Sequence, residues 1–155
     1  MKFETLKAKD IMISPVLTVA ESSSLAETWK LFSENKITGA GVIDEEGEFV
    51  GVISQTDILR ETAAESLEGF AHTLYYMELP YLEGNYWPSQ TNTLEEITVG
   101  EVMNSEPVCA DVSSTVPELA TLMRNHKIHR VFITEKGKLA GIVSTMDMIK
   151  ILECQ

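Results

Sequence analysis

The decapeptide GVISQTDILR, Gly51 to Arg60, returns 90 positions later as GIVSTMDMIK, Gly141 to Lys150. Gly51, Ser54 and Asp57 fall on Gly141, Ser144 and Asp147, with apolar residues matched between them. The correspondence extends backwards: Lys36-Ile37 meets Lys127-Ile128, Leu31 meets Leu122, and Asp10-Ile11-Met12 meets Glu101-Val102-Met103. The chain therefore carries two copies of one unit of roughly fifty residues, and an element that cannot bury its apolar face alone can bury it against a repeated partner. Any fold proposed for one copy has to serve the other.

Each copy opens on a β-branched or apolar run after a breaker, Pro15 to Val19 and Pro107 to Ala110, which predicts a strand. Ser24-x-x-Glu27 and Thr115-x-x-Glu118 follow, the spacing in which a hydroxyl and a carboxylate satisfy free N–H groups at a helix start. Leu25, Trp29 and Phe32 then recur at i, i+4 and i+7, as do Val116, Ala120 and Met123, so each helix is expected to bury that stripe. The stretches GAGVIDEEGEFVGVIS and RVFITEKGKLAGIVS each read as two strands joined at a polar turn, Glu46-Gly47 or Lys136-Gly137. A second helix starts near Thr56 or Met146. The predicted class is α+β, with the order β-α-β-β-α repeated twice.

Composition narrows the function classes. With 155 residues, 44% of them apolar, the chain suits one compact domain or two small halves sharing a core. Twelve Lys and Arg against 24 Asp and Glu give a net charge of −12, which repels phosphate backbones and anionic membrane surfaces. Nucleic acid and membrane are not expected partners. No apolar stretch approaches the ~18 residues of a membrane span, and the residues after Met1 form no signal-peptide core, so a cytoplasmic location is expected. Cys109 and Cys154 show neither metal nor redox spacing and read as buried or incidental thiols. His126-x-x-His129 has metal-compatible spacing but no third ligand nearby in sequence. No nucleophile and base pair, Gly-rich phosphate loop or metal motif appears, so a binding module is favoured over an enzyme.

The repeated Ser-x-x-Asp admits two accounts. The Ser caps the second helix while the Asp favours its positive end. Alternatively, the free N–H groups of a strand-to-helix junction suit a phosphate, and a carboxylate there accepts both hydroxyls of a ribose diol. The same residues can do both.

With repeat, element order and Gly-h-h-Ser-x-x-Asp in place, the chain resembles the tandem cystathionine β-synthase (CBS) domain pair, or Bateman module. The signals are KIHRVFITEKGKLAGIVSTMDMI in the second half and KITGAGVIDEEGEFVGVISQTDIL in the first. The resemblance implies clefts that take adenosine compounds such as AMP, ADP, ATP or S-adenosylmethionine, and a regulatory role toward a separate partner protein. It implies ribose recognition by Asp57 and Asp147, with Ser54 and Ser144 beside the ribose or phosphate and Val52 and Ile142 flanking adenine. His129 and Arg130 match a phosphate-reaching pair, whereas the first copy has Thr38 and Gly39 there. One strong and one weak site are expected. Thr98 matches a position that hydrogen-bonds ligand in some relatives, and a plain helix cap explains it too. A homodimer is expected; the rival reading is an assembly module with empty clefts.

By sequence the organisation is repeat 1 over residues 1–60, an insert over 61–97 and repeat 2 over 98–155. The insert is read as a helix extension followed by irregular backbone after Pro80. It concentrates Phe70, Tyr75, Tyr76, Tyr81, Tyr86 and Trp87, which predicts either packing on its own domain or a dimer mate, or a lid or docking surface.

Overall fold

The computed structural model describes residues 5–62 and 91–153, so the six insert aromatics and Cys154 lie outside the described residues. Helix α1 spans Ala8–Ile11. The first copy follows as β1 (Thr18–Ala20), α2 (Leu25–Asn35), β2 (Gly39–Ile43), β3 (Phe49–Ser54) and α3 (Gln55–Thr62). After α4 (Thr91–Glu96) and α5 (Val99–Val102) comes the second copy. It comprises β4 (Cys109–Asp111), α6 (Val116–His126), β5 (Arg130–Glu135), β6 (Lys138–Ser144) and α7 (Thr145–Glu153). The α+β class and the doubled β-α-β-β-α order are both present.

Each copy builds a three-stranded sheet in sequence order, with a parallel first pair and an antiparallel second pair. The parallel pairing follows from the intervening helix, α2 or α6, since parallel neighbours need a crossover. The first strands are shorter than predicted. Their pairing begins at Thr18 and Cys109, two or three residues after prolines that have no N–H to give a ladder. The second hairpin closes through Lys136 and Gly137, both at positive φ (52° and 81°), the two-residue turn whose twist suits antiparallel strands. The first is a longer turn in which the Asp44 carboxylate accepts the N–H groups of Glu46 and Glu48, each at 2.9 Å, with Gly47 at φ 80°. A register irregularity occurs at equivalent places, Val42/Ile43 and Ile133/Thr134.

The chain divides into two compact units that do not follow the sequence repeats: residues 1–17 with 106–155, and residues 18–105. The short leading helix of each copy joins the sheet of the other. In the first of these units, α1 caps the second copy: Ala8 N–H donates to Ser114 O at 2.7 Å, Val116 N–H to Leu6 O at 3.0 Å, and Ile13 exchanges hydrogen bonds with Ile142 (2.9 and 3.1 Å). In the other, α5 does the same for the first copy. Val99 and Gly100 N–H groups donate to Ser23 and Glu21 carbonyls, both at 2.8 Å, and Asn104 exchanges hydrogen bonds with Val52 (2.9 and 3.0 Å).

The unit of residues 18–105 buries Val19, Leu25, Trp29, Phe32, Ala40, Val42, Ile53, Ile58, Leu94 and Val99. The predicted α2 stripe is all there. In the other unit the core is Ala8, Ala110, Leu119, Met123, Val131, Ile133 and Val143. Here the predicted α6 stripe is corrected: Met123 is buried, but Ala120 is exposed, Val116 only half-buried, and Leu119 takes the central position. Trp29 is large enough to reach a covering element, and α4 packs on α2 with Leu94 fully buried against it. The methyl group of Ala120 has no such reach. The helix α4 itself falls in the stretch expected to be irregular.

Both predicted capping boxes form. Ser24 N–H donates to Glu27 Oε2 and Glu27 N–H to Ser24 Oγ, each at 3.1 Å. Thr115 N–H and hydroxyl donate to Glu118 Oε2 at 2.7 and 2.9 Å, which holds that carboxyl below its usual range.

Candidate functional site

At the end of β6 the chain passes from strand into helix without a loop, Ser144 closing β6 and Thr145 opening α7. Free N–H groups of the first turn are left for side chains to satisfy. Ser144 N–H and hydroxyl both donate to Asp147 Oδ2, at 2.9 and 2.6 Å, and Asp147 N–H donates back to Ser144 Oγ at 3.3 Å. Lys150 Nζ donates to Asp147 Oδ1 at 3.3 Å. Asp147 is buried. Burial works against its charge, but the Ser144 hydroxyl and N–H and the Lys150 ammonium outweigh it and hold the carboxyl below its ordinary 3.8.

The β3 to α3 junction repeats this ring. Ser54 N–H and hydroxyl donate to Asp57 Oδ2 at 2.8 and 2.6 Å, and Asp57 N–H donates to Ser54 Oγ at 3.3 Å. Arg60 stands 3.7 Å from Asp57 Oδ1, in the place of Lys150. The capping account of Ser-x-x-Asp is thus satisfied in both copies, with a carboxylate at each helix start.

Strand pairing gathers further residues around each ring. Arg130 opens β5 directly opposite Ser144, Phe132 stands opposite Ile142, and the His129 carbonyl accepts Thr145 N–H at 3.0 Å. Five predicted residues, His129, Arg130, Ile142, Ser144 and Asp147, therefore share one end of one sheet. In the other unit Val52, Ser54 and Asp57 are grouped alike, with Gly39 opposite Ser54 and the Thr38 carbonyl accepting Gln55 N–H at 2.8 Å. Thr98 lies in that same unit at the start of α5, where its N–H and hydroxyl donate to Glu101 Oε2 at 2.7 and 2.8 Å and keep that carboxyl below its usual range. It acts there as a cap.

The sequence reading missed why Gly51 and Gly141 recur. A Cβ on Gly51 would lie 2.7 Å from the Asn104 carbonyl oxygen and 2.9 Å from Met103 Sδ, and one on Gly141 would lie 2.5 Å from Met12 Sδ. These glycines admit the leading segment of the other copy onto the strand that carries Val52 or Ile142. Met12 and Met103 are the residues that fit there, and their recurrence in the repeat is the signal that points to them.

A crevice of about 160 Å³ between β1 and α2 contains no predicted residue. Its Glu27 belongs to the capping box and the Thr28 hydroxyl donates to Ser24 O at 2.9 Å, so both of these side chains already serve the backbone. Burial raises the pKa of the Cys109 thiol, which leaves it a poor nucleophile. Among the described residues, no group of three His, Cys, Asp or Glu is placed to hold a metal ion, and no helix is long and apolar enough to cross a membrane.

The CBS domain family matches residues 8–64 and 99–154. An uncharacterised protein of Methanocaldococcus jannaschii is 32% identical over 96% of this chain and 92% of its own length. Two other curated relatives, each 26% identical, are longer: the chain spans 31% of a second M. jannaschii protein and 61% of the chloroplastic CBS domain-containing protein CBSX1 of Arabidopsis thaliana. Among solved structures, the CBS domain of a CBS domain-containing membrane protein from Sphaerobacter thermophilus is 29% identical, with a TM-score of 0.70 over 96% of this chain and 88% of that one. CBSX2 in complex with AMP has 22% identity and a TM-score of 0.70, covering 96% of each chain. The CBS domain pair of the protein MJ0100, solved with 5-methylthioadenosine and S-adenosyl-L-methionine, has 21% identity and a TM-score of 0.67 over 97% of this chain and 98% of that one.

Proposed function

The chain belongs to the CBS domain family as a tandem pair, and on that premise we propose that it is a regulatory module that binds an adenosine compound and acts on a separate partner protein. The observation that carries this reading is the Ser144–Asp147 ring, an ionised carboxylate with Arg130 opposite Ser144 across the hairpin. That arrangement offers an acceptor for ribose hydroxyls next to a cation suited to phosphate. Relatives of the same fold solved with AMP and with S-adenosylmethionine support the ligand class. Asp147, Ser144 and Ile142 receive the nucleoside, while His129 and Arg130 receive phosphate. Ser54, Asp57 and Val52 form the weaker counterpart, with Thr98 in its unit.

We also propose a cytoplasmic homodimer. Met146, Ile149 and Leu152 line α7 as exposed apolar residues at three-residue spacing, a surface suited to association. The same face favours the second reading, an assembly module that binds no nucleotide.

Thermal melting with AMP, ADP, ATP, S-adenosylmethionine and 2′-deoxy-AMP separates the two. Ligand at about 100 times its Kd adds about 2.7 kcal/mol of stability, a rise of several degrees in Tm. Asp147→Ala is expected to weaken adenosine ligands about 10- to 150-fold, the value of hydrogen bonds to a charged acceptor, and so to lose most of that rise. A wild type that responds equally to AMP and 2′-deoxy-AMP would sink the diol assignment, and one that responds to none of these ligands leaves the assembly reading.

A further inference from the structure

We infer that Lys150 sets the affinity of the Asp147 site by occupying the one carboxylate oxygen that remains open to a ligand. The inference rests on the reading of Asp147 as a diol acceptor. A carboxylate oxygen has two acceptor positions. On Oδ2 both are filled from Ser144, by the N–H at 2.9 Å and the hydroxyl at 2.6 Å. Ser144 has given its only hydroxyl proton to that bond, and its oxygen accepts Asp147 N–H at 3.3 Å. Oδ1 is left, and Lys150 Nζ already donates to it at 3.3 Å. A vicinal diol brings two donors to an oxygen with one remaining position, so the ammonium has to withdraw before both hydroxyls bind. It is free to swing, because the Lys150 side chain is 65% exposed while that of Asp147 is 7% exposed. In the other unit Arg60 stands 3.7 Å from Asp57 Oδ1, beyond hydrogen-bonding distance, so this competition belongs to the Asp147 site.

The direction is opposite to that of a ligand-binding cation. Lys150→Met is expected to tighten binding of adenosine, an uncharged probe, by about 1.5- to fivefold, the range of a solvent-exposed ion pair. Binding of 2′-deoxyadenosine, which brings one hydroxyl of the pair and fits beside the ammonium, should stay unchanged. Lys150→Arg should relieve the competition too, because the arginine in this place in the other copy, Arg60, stands 3.7 Å from Asp57 Oδ1. Titration calorimetry of wild type and both variants at low and high salt reads all of this. Salt screens the ion pair, so wild-type affinity for adenosine should rise toward that of Lys150→Met, whose own affinity stays level. Equal or weaker adenosine binding by Lys150→Met overturns the inference, as does equal tightening toward both nucleosides. A wild type that binds neither adenosine, AMP nor S-adenosylmethionine overturns the Asp147 reading and this inference with it, a result distinct from binding that Lys150→Met fails to improve.

Discussion

The two copies share a backbone plan and differ in what they do with it. Their sheets bury equivalent positions, Ala40, Val42 and Ile53 in one and Val131, Ile133 and Val143 in the other. The helices and sheet ends diverge. In the unit of residues 18–105, Trp29 and Leu94 build an extra layer of apolar packing beneath α4. In the other unit the position of Trp29 holds an exposed Ala120, and the sheet end that carries Thr38 and Gly39 in the first copy carries His129 and Arg130. One copy has spent its variable positions on packing and the other on charge. A duplicated fold can thus divide stability and recognition between copies while keeping a common ladder.

The comparison is most exposed at Trp29. Trp29→Ala is expected to cost about 3–5 kcal/mol in urea denaturation, because it opens a cavity between α2 and α4, whereas Ala120→Ser should stay within about 0.5 kcal/mol. A small loss at Trp29 would mean that α4 contributes little to the core.

Next come the two glycines. Gly51→Ala should destabilise by about 1–3 kcal/mol, since the new methyl meets the Asn104 carbonyl, a backbone atom held by Val52 N–H at 3.0 Å. Gly141→Ala meets Met12 instead, whose thioether swings away more cheaply, so its cost should be smaller. Equal losses would break the distinction between rigid and flexible neighbours.

The smallest contrast concerns the two capping aspartates. Asp147→Asn is expected to cost about 0.5–2 kcal/mol at neutral pH, as for loss of a helix cap, and Asp57→Asn less, its side chain being 24% exposed. The folded-state pKa of Asp147 lies below its ordinary 3.8, so its contribution is present above that value and lost as pH falls through the folded one. The gap between wild type and Asp147→Asn should therefore hold from neutral pH down to about 4 and close below it. A gap that widens on acidification would reverse the sign assigned here.

What could be read in the sequence was local or periodic. Ser24 and Glu27 announce a helix start because both partners of the cap lie within four residues. The stripe of α2 was legible for the same reason. Ala120 was misjudged because a 3.6-residue period shows where a face lies but not whether anything covers it, and the cover on α2 comes from residues 91–96. Gly51 and Gly141 were visible as repeats, yet their cause, a segment arriving from about fifty residues after Gly51 or well over a hundred before Gly141, has no local trace. Ser-x-x-Asp was legible as a cap. Its second reading turns on which lone pairs remain after capping, a matter of tenths of an ångström that a string of letters does not carry.

The crossing of the leading segments has a further consequence, for cutting rather than folding. A break in the chain between residues 62 and 91 leaves α1 on one fragment and α4 with α5 on the other, each on the opposite side of the cut from the sheet it completes. Neither fragment inherits a whole unit, whichever bond is cleaved. Two pieces that each carry the other's missing edge are complementary halves of a split protein, able to restore both units only in each other's presence.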